Sequence, residues 1–162
     1  MNNPFSLSFG KTPTQLISRI SQTNQILETF GAENPPNQVY MITGIRGSGK
    51  TVMMTNIAET LSKEKEWITV ELNPERDMLH SLAASLYSLP SIHKLFVKAK
   101  LDLSALGIGV SLEDSNQIFD IEVAIDQMMR QVEKAGKKVL ITVDEVTNTE
   151  YIRIRSEERR VG

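Results

Sequence analysis

The chain has 162 residues, 40% of them hydrophobic and 23% charged, which suffices for one domain with a core and excludes a disordered polymer. Eighteen basic against twenty acidic residues leave a formal charge of −2, so coating nucleic acid or anionic lipid is not its expected main business. Cysteine is absent, no basic-then-apolar leader opens the sequence, and no apolar run nears the roughly 20 residues that span a bilayer; a cytoplasmic domain without disulfides, thiolate chemistry or membrane association is expected.

Thr12-Pro13 reads as an N-cap followed by proline at the first helical position, and Leu16, Ile20, Leu27 and Phe30 then share a helical stripe that Gly31 can close. Residues 31–38 are turn-rich. Val39 to Thr43 is a nearly all-apolar run, predicted as a first strand buried on both faces. Gly44 to Gly49 breaks it, and Thr51 to about Lys63 predicts a helix. Trp67 to Leu72 predicts a second buried strand, ended by Asn73-Pro74. A helix follows from about Glu75 to Tyr87, with Met78, Leu79, Leu82 and Leu86 inward, and Pro90 stops it. A further helix over 91–100 is suggested by Ile92, Leu95 and Phe96.

Between Leu101 and Leu112 the apolar positions alternate but slip phase at Ala105-Leu106, which suggests a bulged strand or a small hairpin with bends at Gly107 and Gly109. Ile121, Ile125, Met128 and Val132 mark an amphipathic helix closed by Gly136. Val139 to Val143 predicts a third buried strand, running into Asp144-Glu145. Strands alternating with helices give an α/β class with a mainly parallel sheet.

Gly44-Ile45-Arg46-Gly47-Ser48-Gly49-Lys50-Thr51 satisfies the phosphate-binding loop pattern between a strand and a helix. Its glycines let the backbone wrap around a phosphate with successive N–H groups inward, and the following helix aims its positive end at the same anion. Lys50 can reach β- and γ-phosphates, and Thr51 can place its hydroxyl on Mg²⁺. Gly44 to Val52 are therefore the candidate nucleotide-binding residues. Arg46 either contacts a phosphate or is a solvated loop residue.

Asp144 and Glu145 end an apolar strand at the sheet edge where such loops sit. Asp144 would hold Mg²⁺ through its water shell, and Glu145 would orient the water that attacks the γ-phosphate. Phosphoryl transfer needs that positioning and charge neutralisation most, so Lys50 and Glu145 are the candidate catalytic residues. His80 and His93 lack metal-ligand spacing and read as surface or core residues. Met53-Met54 and Met128-Met129 read as core filler, and the Glu64-Lys65-Glu66 and Lys137-Lys138 runs as solvated turns. Helix-start acids favoured by the dipole explain Glu75-Arg76-Asp77 more cheaply than function does.

At GIRGSGKT (44–51), VLITVDE (139–145) and VELNPERD (70–77) the chain resembles a P-loop ATPase of the additional-strand, catalytic-glutamate division, similar to AAA+ and STAND ATPases with an origin-recognition-type nucleotide-binding domain. The resemblance covers about residues 9–150 and implies a three-layer P-loop NTPase fold of strand order 5-1-4-3-2, of which only the first three core strands are expected here. It also implies Mg²⁺ and ATP as cofactors, and carries Arg19 over as a residue near the adenine. Partners implied are ATP or ADP, further domains of a longer protein and self-association; nucleic acid is possible but not indicated by charge.

The family continues with two more strands, a sensor residue, an arginine finger and a lid, whereas this chain has about ten residues after the acid pair that still follow the pattern. Residues 1–154 are thus expected to be the N-terminal part of an ATPase domain, and a chain so shortened is expected to turn over poorly. The stretch Arg153 to Gly162 holds four of the eight arginines and no hydrophobic period. It resembles translated adapter read-through, with a native frayed terminus as the other reading, so residues 155–162 are set aside from the fold. The function expected is ATP binding and hydrolysis coupled to a conformational change. Its rivals are a nucleotide-dependent switch without significant turnover, and a small-molecule phosphotransferase, for which no acceptor pocket or lid arginine is visible.

Overall fold

The computed structural model describes residues 20–113, 115 and 117–146. Thr12-Pro13, Leu16, Arg19 and the segment 147–162 lie outside the described residues. The chain divides into two compact units at the Leu61–Ser62 junction.

The first unit holds two helices, α1 (Ile20–Gly31) and α2 (Lys50–Ser62). In α1, Thr23 and Ile26 turn inward, and Phe30 at its end meets Tyr40 edge-on with ring centroids 5.3 Å apart. α2 buries Met53, Ile57 and Leu61, a stripe at four-residue spacing that keeps one helical face apolar. Between them Val39–Thr43 forms no strand, a correction to the first predicted element. Tyr40 and Ile42 are half-buried, while Val39 and Met41 are 87% and 88% exposed. Apolar, β-prone composition favours a strand, but a strand also needs a neighbouring ladder, and among the described residues the sheet has two strands, neither of them this segment.

Those two belong to the second unit: β1 (Trp67–Leu72) and β2 (Lys138–Val143). They pair in parallel from Trp67↔Lys138 to Leu72↔Val143, so the α/β class with parallel pairing holds. Parallel neighbours need a crossover, and the chain between them supplies α3 (Met78–Ser88), α4 (Pro90–Lys98) and α5 (Ile121–Lys134). Ile68, Val70 and Leu72 point into a core with Leu82, Leu86, Ile92, Phe96, Leu103, Met128 and Val132. Neither strand is buried on both faces as predicted. Glu71 is exposed, and Leu140, on the face opposite Ile68, Val70 and Leu72, is the single buried residue of β2.

The caps explain the helix boundaries. The Asn73 Oδ1 accepts the Glu75 N–H at 2.8 Å, which holds a turn after β1 and delays α3 past its predicted start. Asp77 then caps α3, its Oδ1 accepting from the N–H groups of Leu79 (3.0 Å) and His80 (3.1 Å). Asp120 caps α5 in the same way through Glu122 (2.8 Å) and Val123 (3.0 Å). Leu89 both ends α3 and precedes α4, whose first residue is Pro90. The His93 Nδ1 donates to the Tyr87 carbonyl across that junction at 2.8 Å, and its ring packs edge-on against the Tyr87 ring.

The bulged strand or hairpin expected over Leu101–Leu112 does not form. A short 3₁₀ turn, Ser104–Leu106, produces the phase slip, and Asp102 makes an isolated parallel bridge to Gln117. Leu101, Leu103 and Ile108 are buried, so the apolar side of the alternation is real. The polar position between the leucines behaves differently: Asp102 is only 1% exposed. Lys138 also departs from its predicted solvated turn, since it opens β2 with its ammonium 5.4 Å from the centre of the Trp67 ring.

Candidate functional site

The segment from Gly44 to Val52 builds one continuous feature in the first unit. The Ser48 N–H donates to the Ile45 carbonyl at 3.2 Å, closing a turn in which Gly47 takes a φ of +79°. Gly49 takes the same φ immediately before α2, and its carbonyl receives the first helical bond, from the Met53 N–H at 3.0 Å. A β-carbon at either glycine would touch nothing within 4 Å, so the backbone conformation, and not crowding, selects glycine there.

Lys50 begins α2 and folds back over the loop. Its Nζ donates to the carbonyl oxygens of Gly44 (3.0 Å) and Ile45 (3.1 Å). The ammonium is thereby held on the loop, at the positive end of the helix. Ser48 Oγ is shielded from solvent and has no hydrogen-bond partner. A buried hydroxyl without a partner costs free energy, so a ligand oxygen at this point would relieve an existing penalty. Ile45 and Arg46 are exposed at the loop tip, and Thr51 and Val52 stand in the first turn of α2.

Asp144 and Glu145 follow β2 in the second unit. The Glu145 N–H donates to Asp144 Oδ1 at 2.8 Å, which turns the chain sharply out of the strand. Glu145 adopts a φ of +50°, a conformation that costs a non-glycine residue on the order of 1–3 kcal/mol. Its carboxylate is exposed, whereas Asp144 is half-buried. The predicted residues thus form two groups, the loop with the start of α2 and the acid pair after β2; Arg19 lies outside the described residues.

The other polar clusters are architectural. His80 Nδ1 stands 2.9 Å from Asp77 Oδ2, and the His80 N–H, more than any other group, holds the Asp77 carboxyl below its ordinary range against the opposing effect of burial. That accounts for the acidic start of α3.

The sequence reading did not single out Asp102. Its Oδ1 accepts from the Ser104 hydroxyl (2.6 Å) and N–H (3.0 Å). Its Oδ2 accepts from the Ser111 hydroxyl (3.2 Å), the Leu112 N–H (3.1 Å) and the Ser115 hydroxyl (3.1 Å). The Ser104 hydroxyl leads the effects that hold this carboxyl far below the ordinary range, with burial opposing them. The signal was present as three serines downstream of an aspartate between two leucines, but no local period relates them.

Among the described residues no group of three or more His, Cys, Asp or Glu side chains could hold a metal ion by itself. No helix there is long and apolar enough to cross a membrane. Over residues 17–159 the chain matches the family described as an ATPase domain predominantly from Archaea, and it belongs to that family. Comparison with curated proteins and with solved structures gives no match.

Proposed function

We propose, from this membership of an ATPase family, that the Gly44–Val52 loop is the nucleotide site and that the ligand is ATP with Mg²⁺. One observation carries the reading: a loop with two left-handed glycines, a lysine ammonium held over it and a shielded, unpartnered Ser48 hydroxyl, all at the start of α2. These are donors looking for an oxyanion. Lys50 would bind the β- and γ-phosphate oxygens, and Arg46, exposed at the tip, is placed to add a further positive charge.

The family resemblance implies a magnesium ion shared with phosphate oxygens, for which a hydroxyl and a carboxylate are suitable protein donors and no all-protein cage is needed. Thr51 and Asp144 would hold it, and when bound it would neutralise charge on the phosphates. Glu145 would orient the attacking water by accepting a hydrogen bond from its O–H. In this reading the chain is an AAA+/STAND-type, origin-recognition-like domain of three-layer fold acting in the cytoplasm, with hydrolysis coupled to a conformational change. The direct parallel pairing of β1 with β2 supports it, because the implied order seats the second and third core strands side by side.

The test is a fluorescent ATP analogue titrated against the wild type and Lys50→Ala. Loss of binding in the variant is expected, and equal affinity for both proteins would remove the assignment.

A further inference from the structure

Helix α4 ends on a residue that its own stop signal does not favour. The Leu101 N–H donates to the Phe96 carbonyl and the Lys100 N–H to the Val97 carbonyl, both at 3.0 Å, and Leu101 and Phe96 are both buried. That pattern stops a helix by setting one residue in the left-handed conformation, which here is Lys100, with a φ of +54°. Glycine adopts the conformation freely, whereas a β-carbon makes it costly. A cation at the C-terminal end of a helix offsets part of that cost, and the remainder points to a use for the side chain.

Lys100 lines an open groove of about 610 Å³ within the second unit, between the end of α4 and the start of α5. Small-molecule sites occupy roughly 300–1,000 Å³. Phe119 and Val123 form part of its apolar wall and are 75% and 48% exposed. The charged residues that line it, among the described residues, are Lys100 and Asp120, one of each sign. Asp120 caps α5 through Oδ1 alone, which leaves Oδ2 for a cationic group. Gln117, also in the lining, donates its Nε2 to the Ser104 hydroxyl at 3.1 Å, so its Oε1 is the end left to accept.

We infer that this groove binds a short apolar peptide with both termini free. Its carboxylate meets Lys100, its ammonium meets Asp120 Oδ2, its peptide N–H donates to Gln117 Oε1, and its side chains cover Phe119 and Val123. The paired charges exclude the simpler occupants. A polyanion would be set against Asp120, and a fatty acid would cover the same carboxylate without neutralising it. An uncharged apolar ligand would desolvate both ions and pair neither. A ligand carrying one charge of each sign satisfies both. The site belongs wholly to the second unit, whereas the Gly44–Val52 loop belongs to the first.

The probe is the dipeptide leucyl-phenylalanine, titrated without nucleotide into the isotope-labelled full-length protein and followed by amide NMR. Saturable shifts concentrated at Lys100, Gln117, Phe119 and Val123 are expected. The N-acetylated and the C-amidated dipeptide should each bind about tenfold more weakly, the value of one charge-assisted contact. Lys100→Gly removes the ammonium together with the strain, so it should lose about tenfold in affinity while melting at or above the wild-type temperature, a combination that a merely structural lysine would not give. Asp120→Ser keeps a capping oxygen and removes the charge, and should lose a similar factor. Absence of shifts at these residues up to about 10 mM dipeptide, equal binding of the blocked forms, or wild-type affinity in Lys100→Gly overturns the proposal. Since no nucleotide is present, this result is separable from that of the ATP-analogue titration.

Discussion

The ring of Tyr87 lies directly over Gly109, so close that a β-carbon at residue 109 would stand 2.7 Å from the ring Cζ. Gly109 also takes a φ of +73°, and the two requirements act together. Tyr87 cannot retreat: it is buried, stacked on Phe96 and met edge-on by His93. Gly109→Ala should therefore destabilise the second unit by about 2–4 kcal/mol, combining backbone strain with overpacking. Gly107→Ala, with a similar φ but open space around it, should cost only about 1–2 kcal/mol. Urea unfolding of the two variants checks the ordering, and equal losses would show that the ring contact does not matter.

Asp102 gives a pH prediction with a definite sign. Its carboxyl is held below the ordinary range in the folded state, first by the Ser104 hydroxyl, so the folded form prefers it ionised. The stabilisation is full above the unfolded value of about 4 and is lost as pH falls below it toward the folded value. Asp102→Asn replaces acceptor lone pairs by an amide that must aim hydrogens at existing donors. Its melting temperature at neutral pH should lie about 5 °C or more below wild type. Between pH 5 and 3, estimated from about one unit either side of the carboxylate value, it should fall less steeply than wild type. Thermal melts followed by circular dichroism decide both points.

Lys50→Ala should weaken nucleotide binding by about 10–100-fold, the value of one or two charge-assisted hydrogen bonds. The same variant should hardly change the melting temperature of the empty protein, because its bonds to Gly44 and Ile45 are solvent-exposed. A large loss of stability would mean that Lys50 holds the loop together and is not a ligand-binding group.

For Glu145→Gln, nucleotide affinity should stay within about twofold of wild type, while whatever phosphate release the wild type shows is lost if Glu145 positions the attacking water. Measured beside any ATP-dependent conformational readout, the variant also separates a hydrolysing device from a switch. A switch keeps its ATP response in Glu145→Gln, and a hydrolysis-driven cycle does not.

What the sequence disclosed depended on how local the cause was. Met53, Ile57 and Leu61 announce α2 because their four-residue spacing is itself the buried face. Asp77 was legible as a helix-start acid, though its capping role and that of Asp120 came only with the fold, and GIRGSGKT is a purely local pattern. Val39–Thr43 misled because its composition describes a strand while its state depends on a neighbour elsewhere in the chain. Asp102 escaped for a related reason: its partners Ser111, Leu112 and Ser115 are brought in by the fold, and a period-two window sees only a polar residue between leucines. The acid pair was legible as residues, but the left-handed turn at Glu145 was not.

The junction at Leu89 has a mechanical consequence. One residue, with φ −73° and ψ 117°, serves both helices, and its carbonyl takes the N–H groups of Ile92 (3.1 Å) and His93 (2.8 Å). Pro90 fixes the next φ, and the His93 ring reaches back to clamp the Tyr87 carbonyl. No slack loop separates α3 from α4, so the pair is a bent lever with a welded elbow. A shift of α3 near Asp77, just beyond the end of β1, would carry α4 with it as far as Lys98, since no flexible linker stands between them.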